Sequence, residues 1–260
     1  MKYDFRADHV GSLLRPRAVK DARAAHAARE ISDDELSVVE NGAIGEAVAL
    51  QVEAGLPVVT DGEMRRSFWH YDFLGMLEGF ELVERDEGVQ FAGVKLRPIY
   101  PTIQGKLSFG DHPMLDHYRF LAKVAPTGLT PKISIPGPSC AHFRTAKSDI
   151  HPPEYGDVEV LFADIVATYR DALKAFYEAG CRYLQFDDIF FAYLCDPKHR
   201  ADKVAEGFDP DWLIGKYAEM MDAVIADRPD DLIVGSICAA AISARPTRRR
   251  AATTPPRTPC

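Results

Sequence analysis

Residues 181–189 read CRYLQFDDI, and this stretch decides the fold. Its apolar run is short, without the strict polar alternation of a strand that faces water on one side. Such a run suits a strand of a parallel sheet covered on both faces, and here it ends in two acids. Three other stretches repeat the design: LPVVTDGE at 56–63, TPKISIPGPS at 130–139 and DLIVGSIC at 231–238. Each starts after a turn residue or a charge and ends in small or polar groups. ADHVGSLL at 7–14 is a weaker fifth member.

Helical patterns fill much of the space between these runs. Ser32 and Glu35 form a capping box, followed by an expected buried face of Val39, Ala43, Ala47, Leu50 and Ala54 that Gly55 terminates. Leu161, Ile165, Thr168, Ala172 and Phe176 repeat that spacing before Gly180, and Asp209–Pro210 starts a helix buried through Leu213, Tyr217, Met220 and Val224. Residues 83–109 depart from the rhythm, their alternating apolar residues predicting a hairpin-like insertion after the second strand. No glycine-rich phosphate loop follows any strand, so the alternation predicts a (β/α)8 TIM barrel rather than a dinucleotide fold, incomplete at five of eight strands.

Composition bounds the function. With 47% apolar and 27% charged residues, the chain can bury a sizeable core. Before Ala239 there are 39 acidic residues against 26 basic ones, which argues against nucleic acid or an anionic membrane as a partner. Five cysteines without framework spacing suit a reducing cytoplasm, and no apolar run approaches the length of a membrane span.

In a barrel, the carboxyl ends of the strands face the active site. Those ends supply His9 and Ser12, Asp61 and Glu63, residues 136–139, Asp187 and Asp188, then Ser236 and Cys238. So acidic a mouth suits an ammonium, a metal or proton transfer. Blander readings stand beside each. Asp187 and Asp188 suit solvated acids or a helix cap, Asp61–Gly62–Glu63 a turn, His112 and His117 surface positions near a helix start, and Cys181 a small buried hydrophobe. Cys140 and His142 have metal-like spacing but make only two ligands, and Phe68, Trp69 and Tyr71 suit either core or pocket wall.

Three motifs taken together, FRADHVGSLLRP at 5–16, TDGEMRRSFWHYDF at 60–73 and YLQFDDI at 183–189, resemble the short, single-barrel relatives of cobalamin-independent methionine synthase. The resemblance covers roughly residues 3–238. It implies a zinc-dependent methyltransferase that moves a methyl group from a methylated folate, or a related carrier, to the thiol of homocysteine. It further implies that the backbone of Gly11 and Ser12 holds the amino-acid carboxylate, that Glu63 and Asp187 bind the ammonium, and that Cys238 is a zinc ligand; His9, Asp61 and Asp188 complete the possible pocket. Ser236 stands where the family has a zinc-binding histidine, and no later glutamate follows. Two other readings remain: a non-catalytic barrel remnant that binds an amino acid, and a uroporphyrinogen-decarboxylase-like enzyme, which would want cationic groups around substrate carboxylates.

Residues 239–260 differ from the rest, with 19 of 22 residues Ala, Arg, Pro or Thr, and no acid. In the short relatives the zinc-binding cysteine is followed by Arg-Gly-Asn-Phe-Arg, and AAAISAR can be encoded by GC-rich codons whose neighbouring frame reads that way. The expectation is a barrel over residues 1–238 followed by an out-of-frame, disordered tail, a genuine basic arm being the alternative. Five strands with open edges are expected to leave the chain aggregation-prone or partly folded.

Overall fold

The four apolar runs form parallel strands in a computed structural model that describes residues 8–85, 90–91, 94–95 and 99–237, and the last of them, at 233–237, is only partly buried. In chain order the elements are α1 (Arg17–Ala27), α2 (Asp33–Glu53), β1 (Val58–Val59), α3 (Tyr71–Leu74), β2 (Glu78–Glu84), β3 (Gln90–Phe91), β4 (Val94–Lys95) and β5 (Ile99–Ser108). They continue with α4 (Met114–Val124), β6 (Thr130–Pro131), β7 (Ile133–Pro136), α5 (Pro138–Phe143), α6 (Val158–Glu178), β8 (Tyr183–Asp187), α7 (Phe190–Tyr193), α8 (Pro197–Ala205), α9 (Pro210–Ile225) and β9 (Ile233–Ile237).

β1 pairs in parallel with β6, and β7, β8 and β9 pair in parallel in that order. β6 and β7 are one run interrupted at Lys132, whose N–H still donates to Val59 O at 2.8 Å. Every residue of β7 and β8 is buried, as expected for strands covered on both faces. The result is an α/β fold whose described strands form an open arc. The insertion is an antiparallel pair, β2 with β5, and begins earlier than expected, at Glu78.

α6 buries Leu161, Ile165, Thr168, Ala172 and Phe176, all at most 2% exposed, and ends before Gly180, whose φ of +96° suits glycine. Burying each large apolar side chain contributes roughly 1.5–3 kcal/mol, so this stripe fixes the helix on the sheet. The Asp209 side chain caps α9 by accepting from Asp211 N, and Leu213, Tyr217, Met220 and Val224 all face inward. The capping box of α2 is present: Glu35 N donates to Ser32 Oγ, and Ser32 N donates to Glu35 Oε2.

Several expectations are corrected. The described part of 7–14 forms no strand; Lys132, Gln185 and Thr60 side chains bond its carbonyls, and Leu13 N donates to Gly62 O. The buried face of α2 is Glu40, Ala43, Ile44, Ala47, Val48 and Gln51, whereas Leu50 is 61% exposed and Ala54 is exposed beyond the helix end. The stripe is rotated because two polar residues belong to it: Glu40 pairs with Arg23 at 3.0 Å, and the Gln51 amide bonds both backbone groups of Thr60. His112 is buried rather than on the surface, bonded to Phe73 O and accepting from Met114 N. Cys181 is a buried thiol, as its apolar surroundings suggested. Cys238 and residues 239–260 lie outside the described residues.

Candidate active site

A cleft of about 450 Å³ opens at the carboxyl ends of β1, β8 and β9. Val10, Ser12, Arg15, Glu63, Phe68, Trp69 and Asp187 line it, with Ser67, Ile189 and Ile237. The turn after β1, the end of β8 and the N-terminal segment thus bring Glu63, Asp187 and Ser12 together, and Gly11 lies against the same wall. A Cβ on Gly11 would stand 3.2 Å from Ser134 Oγ and 3.5 Å from Glu63 Oε1, at a φ of +148° that side chains rarely adopt.

Glu63 reaches the cleft through unfavourable backbone. Gly62 and Glu63 both have positive φ, +65° and +57°. For a non-glycine residue the left-handed region costs about 1–2 kcal/mol. Three contacts offset this: Glu63 N donates to Asp61 Oδ1 at 2.9 Å, Leu13 N donates to Gly62 O at 3.0 Å, and Arg15 Nη2 donates to Glu63 O at 2.9 Å. The Glu63 carboxylate is buried, accepts from Ser134 Oγ at 3.3 Å, and lies 3.6 Å from the Arg66 guanidinium.

Asp187 is held by the sheet instead. It ends β8, and its Oδ1 accepts from Gln185 Nε2 at 2.7 Å. The same amide donates to Val10 O at 2.8 Å, while its oxygen accepts from Lys132 Nζ at 2.9 Å. Lys132 therefore sets the amide's orientation: the oxygen faces the cation, and the NH2 group faces the carboxylate. Nζ also donates to Asp8 Oδ1 at 2.7 Å and to His9 O, which ties the extended N-terminal segment to the sheet. Burial pushes the Asp187 carboxyl up to about 6, and the Glu63 charge adds to the rise; the Gln185 hydrogen bond, Arg66 and Lys132 oppose it.

The other expected pocket acids point elsewhere. Asp61 supports the Glu63 turn. Asp188 accepts from Ser139 Oγ at 2.8 and 2.7 Å and from Phe190 N at 3.1 Å, which is the helix-cap reading of the pair. It packs so tightly that a Cβ on Gly137 would meet its Oδ2 at 2.5 Å. His9 bonds Thr60 Oγ1 at 3.2 Å, and burial lowers its pKa. These three build the mouth without lining it.

Sequence reasoning passed over Arg15, although it lies within the first motif, and left Phe68 and Trp69 undecided between core and wall. Both aromatics line the cleft. His70 beside them is 1% exposed with neither ring nitrogen bonded among the described residues, and burial drives its pKa down to about 2. Gln185 and Lys132 went unremarked because a polar residue inside a strand run carries no signal of what it bonds.

The donor set bears on zinc. Among the described residues no three His, Cys, Asp or Glu side chains cluster as a metal site. Ser236 offers an exposed hydroxyl where an imidazole would be needed. His142 bonds Tyr217 OH at 2.7 Å through Nδ1, and burial raises the Cys140 thiol's pKa, so that pair is core rather than ligand. The described residues do not fit zinc.

A parallel α/β arc with a strand-end cleft holding two acids, an arginine and two aromatics defines a small-molecule site of the barrel-enzyme type. Residues 5–206 match the family model described as the cobalamin-independent synthase catalytic domain, and the chain belongs to that family. It is 45% identical over 234 residues to the uncharacterized protein YxjH of Bacillus subtilis, covering 90% of this chain and 61% of that one. It is 27% identical to a methionine synthase of Saccharolobus solfataricus over 69% of this chain and 51% of that one. Among solved structures, the putative vitamin-B12-independent methionine synthase of Listeria monocytogenes superposes with a TM-score of 0.76 at 36% identity, over 91% of this chain and 65% of that one. A B12-independent methionine synthase of Shewanella, solved in complex with selenomethionine, shares the fold at 21% identity and a TM-score of 0.55. The chain spans about three-fifths of the length of the Bacillus relative. The fold is thus that of the methionine synthase catalytic domain, a barrel type, while the described sheets remain open.

Proposed function

We propose that the cleft binds the ammonium group of an amino-acid thiol between Glu63 and Asp187, and that the domain belongs to a methyltransferase forming methionine from homocysteine and a methylated folate or related carrier. The observation that carries this reading is the convergence of Glu63 and Asp187 on one cleft from two separately built supports. Two carboxylates on one ammonium fix its orientation through charge-assisted hydrogen bonds. The Glu63 charge raises the Asp187 pKa, and a cation between the two would relieve that repulsion. The domain is read as an incomplete barrel within residues 1–238, its setting as the cytoplasm, and residues 239–260 as an out-of-frame tail. Zinc dependence in this chain rests on Cys238.

The test is calorimetric titration of the chain with L-homocysteine. Glu63→Gln and Asp187→Asn each remove one charged partner at constant volume, and each is expected to weaken binding roughly ten- to hundredfold, from a loss of about 1.5–3 kcal/mol. Unchanged affinity in both variants refutes the assignment. The incomplete donor set favours a second reading, an amino-acid-binding domain without catalysis. Near-stoichiometric tight zinc in the purified protein would defeat that alternative. The decarboxylase-like reading is disfavoured by the two acids at the cleft and by the family match.

A further inference from the structure

Four arginines gather beneath the Glu63 turn, and three have carboxylate partners. Arg23 pairs with Glu40 at 3.0 Å, Arg65 approaches Glu40 at 4.0 Å, and Arg66 approaches Glu63 at 3.6 Å. Arg15 differs. Its Nη2 donates to the backbone oxygen of Glu63, no carboxylate lies within ion-pairing distance among the described residues, and its Nε is buried without a hydrogen-bond partner. A guanidinium has five donors in a rigid fork, and leaving a buried one unmade costs free energy. Arg15 also lines the cleft that Glu63 and Asp187 line. It therefore presents to the same cleft a guanidinium without an ion-pair partner among the described residues. Two acids and this guanidinium on one cleft complement a zwitterion.

We propose that Arg15 binds the carboxylate of the amino acid whose ammonium Glu63 and Asp187 hold, so that the cleft selects a zwitterion over a simple amine. This rests on the ammonium reading above and assigns a specificity-determining residue to it. The fork geometry suits a planar carboxylate, which takes two parallel N–H bonds from one guanidinium. The bond from Nη2 to Glu63 O fixes the fork's orientation beforehand, so little side-chain entropy remains to be lost on binding. Ser12 is exposed on the same wall.

The experiment compares L-homocysteine with 3-aminopropane-1-thiol, the same molecule without its carboxylate, by calorimetry on the full chain. The unmodified chain is expected to prefer homocysteine ten- to hundredfold. Arg15→Gln should cut that preference to about threefold; it also removes the bond to Glu63 O, so aminothiol affinity falls as well, and the readout is the ratio of the two affinities. Arg15→Lys keeps the charge and a donor for Glu63 O but loses the fork, and should give an intermediate preference; it decides the matter if the Gln variant fails to fold. Equal weakening of both ligands, or an undiminished preference, overturns the proposal, since either marks Arg15 as a support of the turn alone. Failure of the ammonium reading has a different signature: aminothiol affinity that is insensitive to Glu63→Gln and Asp187→Asn. Absence of any homocysteine binding overturns both.

Discussion

Glu63 and Asp187 end on the same cleft, yet their supports differ in kind. Glu63 sits on a turn in left-handed backbone, kept there by bonds from Asp61, Leu13 and Arg15. Asp187 ends a fully buried strand in ordinary conformation, with Gln185 and Lys132 arranged beneath it. One acid is placed by strain that local bonds compensate; the other is placed by the sheet and a buried cation. The lesson is that a strand-end acid acquires its function from what fixes it. Asp188, next in sequence to Asp187, is buried more deeply, accepts from Ser139 and Phe190 and serves the fold.

The sharpest way to break the comparison is to remove the cation beneath Asp187. Lys132→Met leaves the Asp8 carboxylate and the Gln185 oxygen without their donor. It is expected to destabilise the chain by about 2–3 kcal/mol in urea denaturation, the lower end for a buried pair because Asp8 is 22% exposed. It should also weaken homocysteine binding, because the Gln185 amide is then free to turn its oxygen towards Asp187. A variant of native stability and affinity would show that the sheet alone positions Asp187.

A smaller effect comes from protons. Burial, foremost, pushes the Asp187 carboxyl up to about 6, so the ionised form that the proposed ammonium contact requires is lost as pH falls through 6. With Asp187 alone titrating, affinity should be about tenfold lower at pH 5 than on the plateau above pH 7, each pKa unit corresponding to about 1.4 kcal/mol. The sign for stability is opposite. A carboxyl raised in the folded state favours the protonated fold, so its contribution is present below the unfolded pKa and lost as pH rises from there through 6. Asp187→Asn should flatten the binding profile between pH 5 and 7, and a profile of unchanged steepness would move the titration to another group, with Glu63, Arg66 and Lys132 the charged neighbours.

What was legible in the sequence followed burial. Strand runs covered on both faces and the stripe of α6 are written in apolar residues, and both were readable. Polar groups with buried partners were not. Glu40 and Gln51 rotate the face of α2 because Arg23 and Thr60 satisfy them, and no spacing rule anticipates partners brought from elsewhere in the chain. The segment 7–14 reads as a strand from its apolar residues, yet Lys132, Gln185 and Thr60 side chains hold its carbonyls where a ladder was expected. For the site, residue type and strand-end position brought out Glu63 and Asp187. Arg15 and the support roles of Asp61 and Asp188 became visible only with the hydrogen bonds in place.

The most direct test of the central claim, one ammonium between two differently supported acids, is a crystal structure of the chain with L-homocysteine. The account predicts the ligand nitrogen within about 2.7–2.9 Å of both the Glu63 and the Asp187 carboxylates. A nitrogen bonded to neither, or a ligand bound outside this cleft, would contradict it.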